Sequence, residues 1–178
     1  MRYLEVRRHT MRTKPGQHLS QAGVDLARQV GDEMGSFKRV ITSTIPRAFE
    51  TAIVMGYAVD EHLDQLASMG DEVDAEIEWP ADFATWGRVL RKGGVAAQFA
   101  QGLAALYLSI IDTLPEGGAA LIISHGGFVE AGAVACLPNA DHGTWGSYIR
   151  CCEGVRLEHD GKQFIRAEIL RVPMAPES

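Results

Sequence analysis

Ala119-Ala120-Leu121-Ile122-Ile123 is an unbroken apolar run, and Ser124-His125-Gly126-Gly127 follows it directly. An apolar run this short, without alternation, suits a strand covered on both faces, and such strands belong to parallel sheets flanked by helices. Upstream, Phe99, Leu103, Leu106, Tyr107, Ile110 and Leu114 recur at helical spacing until Pro115-Glu116-Gly117-Gly118 ends the pattern. Downstream, Phe128 to Leu137 suits a helix stopped by Pro138. Helix, strand, helix is the unit of an α/β sheet.

The rest of the chain extends that unit. Tyr3-Leu4-Glu5-Val6-Arg7 reads as a first strand that ends in the basic cluster Arg8-His9-Thr10-Met11-Arg12, before the turn Lys14-Pro15-Gly16. Ser20 is a helix N-cap, and Gly23, Ala27, Val30 and Met34 form a small-residue face that closes at Gly35. Arg39 to Ser43 is a second strand, and Pro46 opens a helix that runs to Gly56. A short third strand is expected at Tyr57 to Val59. From Asp60 to Pro80 the pattern weakens and acidic residues dominate; a helix follows from Asp82 to Lys92.

Near the end, Tyr148 to Glu158 and Gln163 to Val172 read as strands of a hairpin turning at Asp160-Gly161, and Pro173 to Ser178 as a loose tail. The expected fold is one α/β domain over residues 1–178, a three-layer α/β/α sandwich around a mostly parallel, mixed central sheet.

Composition narrows the function. The 178 residues carry a net charge of −6, with 46% apolar and 22% charged residues, an ordinary globular balance that argues against a nucleic-acid surface. The weakly polar segment Gly94 to Ile111 keeps a helical stripe and two glutamines, so a packed helix explains it better than a membrane span. The cysteines, Cys136, Cys151 and Cys152, have no metal-ligand spacing and read as reduced thiols, which favours a cytoplasmic setting. Adjacent residues on a strand face opposite ways, so Cys151 and Cys152 are not expected to be bonded. Oligomeric state is left open.

Three strands end in residues that can handle an anion: Arg8-His9, the Ser43 to Arg47 turn, and Ser124-His125-Gly126. Ligands of open α/β sheets bind outside the carboxyl ends of the strands, so these ends are expected to meet in one pocket. Guanidinium groups bind phosphate oxygens through charge-assisted hydrogen bonds, and their charge keeps a neighbouring histidine neutral and nucleophilic. Strand alternation turns Arg7 away from that pocket.

These stretches resemble the histidine phosphatase superfamily, the phosphoglycerate mutase-like proteins. Arg8-His9-Thr10 is similar to the RHG signature, Leu19-Ser20-Gln21-Ala22-Gly23 to the LTxxG helix start, and the segment from Ser43 to Ala52 to SxxxRAxxTA. Ser124-His125-Gly126-Gly127 is similar to the SHGG around the second histidine. The resemblance covers residues 3 to about 135. It implies that His9 attacks phosphorus while Arg8, Arg47 and His125 hold the phosphoryl oxygens, without metal or cofactor. Arg12, Thr10 and Gly126 are the further substrate-binding candidates, and the amides at Gly126 and Gly127 are candidate oxyanion donors.

The match departs from the family pattern in two places. Thr10 stands where glycine is usual, and the segment Leu63 to Glu72 does not align with the family's acidic residue, with Gln65 or Leu66 at the expected position. Asp71 and Glu72 are the nearest substitutes for a general acid, with Asp64 behind them. Gly126 occupies the place of the aspartate used by the acid-phosphatase branch. The expected function is hydrolysis of a small phosphorylated substrate or a phosphoprotein through phospho-His9. The alternatives are a mutase, which needs more cover over the site than this compact chain offers, and a catalytically weak phospho-ligand binding module.

Overall fold

The computed structural model describes residues 1–173 and 175–177. Strands β1 (Arg2–Arg8), β2 (Arg39–Ser43), β3 (Glu61–Leu63), β4 (Ala119–Ser124), β5 (Gly154–His159) and β6 (Phe164–Leu170) form one six-stranded sheet in the order β3-β2-β4-β1-β5-β6. The pairings from β3 through β1 are parallel, whereas β5 is antiparallel to β1 and β6 to β5. The expected mixed sheet is therefore present.

Helices α1 (Gln21–Asp32) and α2 (Pro46–Val54) cover one face of the sheet; α3 (Asp71–Glu76), α4 (Phe83–Leu90), α5 (Val95–Asp112) and α6 (Phe128–Cys136) cover the other. β4 shows why its sequence does not alternate. Ala120 and Ile122 enter the core under α5 and α6, while Leu121 and Ile123 enter the core under α1 and α2. Leu121, Ile122 and Ile123 are fully buried, each a gain of about 1.5–3 kcal/mol over an exposed side chain. α5 is long and apolar enough to cross a membrane, yet Ala100, Leu103, Tyr107, Ile110 and Ile111 pack into the core.

Local signals set the helix starts. The Ser20 hydroxyl accepts from the Gly23 amide, the Asp82 carboxylate accepts from the Thr85 amide, and Pro46 occupies the first turn of α2. Gly23 also lets α1 approach the loop after β1, since a Cβ there would lie 2.1 Å from the Met11 carbonyl oxygen. The small-residue face thus presses the helix against the segment that carries His9.

Three expectations need correction. Tyr57 to Val59 is not a strand; β3 begins at Glu61, after the Asp60 amide and carboxylate have both bonded to the backbone of Val40. Residues 148–153 precede β5 as a turn, in which Cys152 has a φ of 62°, so Cys151 and Cys152 are not strand neighbours. All three cysteines are free. The tail is not loose where it is described: Ala175 is buried and the Cys151 amide donates to the Pro176 carbonyl. Met174 and Ser178 lie outside the described residues.

Candidate active site

In the parallel register of β1 and β4, Arg8 is opposite Ser124. His9 and His125 therefore leave the sheet side by side, with the His9 amide bonded to the Ser124 carbonyl at 2.9 Å. Their rings meet edge to face, with centroids 5.1 Å apart. On the other side of β4, β2 ends at Ser43, whose hydroxyl is 2.8 Å from His125 Nε2. Arg47 follows in the first turn of α2 and donates its Nε–H to His9 Nε2 at 3.0 Å. The three strand ends do converge.

His9 is oriented by its own backbone neighbour. Its Nδ1 lies 2.6 Å from the Thr10 carbonyl oxygen, which can only accept, so Nδ1 carries the hydrogen and Nε2 keeps its lone pair. Burial holds the His9 pKa well below the usual histidine value. The hydrogen bond to Thr10 opposes that shift, and His125, Arg8 and Arg47 add to it. Burial, then Arg47 and Arg8, push His125 down to about 3. His9 is neutral by its contacts, since Nδ1 donates to Thr10 and Nε2 accepts from Arg47, and the downward shift of His125 disfavours an imidazolium beside it.

The pocket has a volume of about 530 Å³. Arg8, His9, Arg47, His125 and Gly126 form its polar end; Gly127, Trp79, Pro80, Ala81, Tyr148 and Ile149 are also in its lining. Arg8 donates to the Ile149 carbonyl at 2.9 Å, while its Nε is buried without a partner among the described residues. Arg47 also donates to the Gln17 side chain. Arg7 turns to the opposite face as expected, where it bonds Glu5 and the Cys152 carbonyl.

Several candidates are placed elsewhere. Thr10 is fully buried, its hydroxyl donates to the Gly23 carbonyl at 2.9 Å, and it does not line the pocket. Arg12 does not line the pocket and donates to the carbonyls of Pro15 and Gly16, although after burial its charge, with that of Arg8, helps to lower the Arg47 pKa. Gly126 lines the pocket beside the Arg8 guanidinium, but the Gly127 amide is taken by the Glu130 carboxylate at 2.7 Å. Asp71 and Glu72 are exposed in the first turn of α3, Asp64 accepts from the Thr44 hydroxyl, and none of the three lines the pocket.

The carboxylates that do line it are Glu130 and Glu177, neither of which was a candidate. Glu130 is buried. Its two oxygens accept from the amides of Gly127 and Ile149, both at 2.7 Å. Burial pushes its pKa up, against those two hydrogen bonds and the Arg8 charge. A glutamate three residues past Gly127, at a helix start, is half of a capping-box signature and could have been read from the sequence.

No family model matches the sequence, and no curated protein matches it significantly. Solved structures do match. The phosphoserine phosphatase of Entamoeba histolytica superimposes with a TM-score of 0.69 at 13% identity, over 97% of this chain and 98% of that one. The fold of this chain is phosphoglycerate mutase-like. A mycobacterial glucosyl-3-phosphoglycerate phosphatase gives a TM-score of 0.65 at 21% identity, over 96% and 98% of the two chains. The phosphoglycerate mutase of Bacillus anthracis gives 0.64 at 15%, over 94% and 92%. On this fold the RHG-like, SxxxRA-like and SHGG-like segments all border one cavity.

Proposed function

We propose that the protein is a metal-independent phosphatase that hydrolyses a phosphomonoester through a phosphohistidine on His9. The observation that carries this reading is the pairing of an unprotonated His9 Nε2 with the Arg47 guanidinium that donates to it, in one pocket with Arg8 and His125. Phosphoryl transfer asks mainly for positioning and for positive charge on the equatorial oxygens, which two guanidiniums supply. The unpartnered Arg8 Nε is a buried donor that a phosphoryl oxygen would satisfy.

In the first step the Nε2 lone pair forms the N–P bond, and the P–O ester bond breaks with its electron pair staying on the alcohol oxygen. That oxygen takes a proton from water at the pocket mouth. In the second step the water-derived hydroxide, or a water, attacks phosphorus and the N–P pair returns to Nε2. The net change is ester plus water to alcohol plus phosphate. Asp64, Asp71 and Glu72 do not line the pocket, and of the carboxylates that do, Glu130 is taken by two amides and Glu177 by the Tyr148 hydroxyl, so esters with good leaving groups are the favoured substrates, whether small molecules or phosphorylated side chains.

The test is hydrolysis of p-nitrophenyl phosphate in EDTA by wild type and His9→Ala. Wild type is expected to turn over and, when quenched in base, to carry an acid-labile phosphate that His9→Ala lacks. Equal background rates from the two proteins would overturn the reading. Tight phosphate binding without release would instead favour the binding module.

A further inference from the structure

Resting on that reading, we infer that the site selects phosphomonoesters whose alcohol part is neutral or cationic and apolar, and rejects alcohols that carry a second anion. Among the described residues, the cations lining the pocket are Arg8 and Arg47, and both stand at the polar end with His9 and His125. A bound phosphate dianion matches their two charges. No lining cation is left to receive a carboxylate or a second phosphate.

The rest of the lining, which the alcohol part of a bound ester would face, is built differently. Trp79 is held at two points: its Nε1–H donates to Asp74 Oδ1 at 2.7 Å, and a Cβ at Gly127 would lie 2.6 Å from its Cη2, so the ring edge rests on the start of α6. Gly127 has a φ of +86°, which a glycine adopts without strain, and its bare Cα is the seat for the indole. Pro80, Ala81 and Ile149 extend the apolar wall.

Glu177 completes the lining. The Tyr148 hydroxyl donates to its Oε1 at 2.5 Å, and the tail that carries it is fixed by the Cys151 amide on the Pro176 carbonyl. An aromatic face and a carboxylate in one small cavity favour an ammonium group and repel an anion. At the separations such a pocket allows, one opposed charge changes selection by about tenfold at intermediate effective dielectric.

Three alkyl esters with comparable leaving groups test this: phosphocholine, glycerol 3-phosphate and 3-phosphoglycerate. The expected order of kcat/KM is cationic, neutral, anionic, with about tenfold or more between the first and last. Where an alkyl ester turns over too slowly, its Ki as a competitive inhibitor of p-nitrophenyl phosphate hydrolysis ranks binding instead, and the same order is expected. Glu177→Lys should shift the ratio of phosphocholine to 3-phosphoglycerate by at least tenfold toward the anion, and Trp79→Ala should weaken phosphocholine most. Wild type that handles 3-phosphoglycerate as well as phosphocholine, or a ratio unmoved in both variants, would overturn the inference. Loss of p-nitrophenyl phosphate turnover in wild type would instead overturn the phosphatase reading itself.

Discussion

Arg47 donates its Nε–H to Nε2 of His9 at 3.0 Å, so in the free protein the nitrogen proposed to attack phosphorus is bonded to the group proposed to hold the phosphoryl oxygens. A substrate must exchange that contact for its own oxygens. The guanidinium then guides the phosphoryl group to the lone pair it has been covering.

Arg47→Ala should therefore lower kcat by about 10²–10³, the cost of losing one donor to developing oxyanion charge. Arg47→Lys should recover little, because a point charge cannot reproduce the fork that reaches both His9 and Gln17. Steady-state kinetics on p-nitrophenyl phosphate measures both, and a change below threefold in Arg47→Ala would remove it from the chemistry.

Glu130 and Arg8 hold opposite ends of one residue: the carboxylate accepts the Ile149 amide and the guanidinium donates to the Ile149 carbonyl. Glu130→Ala strands two buried amides and is expected to cost about 3 kcal/mol in urea unfolding, at about 1–3 kcal/mol for each unsatisfied group. It should also lower kcat by releasing Arg8. Glu130→Gln, whose amide has one acceptor oxygen for two N–H groups, should fall between, and unchanged stability in both would contradict the assigned bonds.

The Thr10 hydroxyl serves the fold. Thr10→Gly is expected to lose about 1–2 kcal/mol, from its buried hydrogen bond to Gly23 and from added backbone freedom, while kcat changes by less than about threefold. Thr10→Ser should keep most of the stability. A large loss of kcat in Thr10→Ser, with stability intact, would show that the threonine methyl shapes the site.

pH dependence follows from the buried imidazoles. His125 titrates near 6.5 when unfolded and about 3 when folded. Between those values the unfolded chain binds the extra proton, so this group's contribution is fully present above about 6.5 and is lost as the pH falls toward 3. His9 acts in the same direction. Denaturant unfolding from pH 7 to pH 4 should show stability falling with acid, more gently in His125→Gln; identical slopes would exclude His125 as a source.

The parts of the molecule that were legible share a physical reason. β1, β2 and β4 are central and covered on both faces or nearly so, and their apolar runs end abruptly at the polar residues that form the pocket. β3 gave no such signal, because Glu61, His62 and Leu63 form a three-residue edge strand held by backbone pairing, with none of the three buried. Trp79 and Pro80 lie in a segment without periodicity, and their place on the wall comes from long-range packing on Gly127. Half of Glu130's role was legible, as the capping partner of Gly127 three residues before it; its second bond, to the Ile149 amide nineteen residues on, left no local signal. The acidic stretch was visible but misread. Asp74 steadies Trp79, and Glu76 accepts the amides of Val95 and Ala96 at the start of α5, so these carboxylates support structure.

The bracing of Ile149 also divides the molecule for anyone wishing to insert sequence into it. A residue added between 146 and 153 would move a peptide tied to both Arg8 and Glu130, and the disturbance would reach the cavity without touching any lining side chain. The turn at Asp160-Gly161-Lys162 is exposed, is closed by its own aspartate, and joins β5 to the outermost strand of the sheet. A peptide tag or a reporter domain placed there should leave turnover intact.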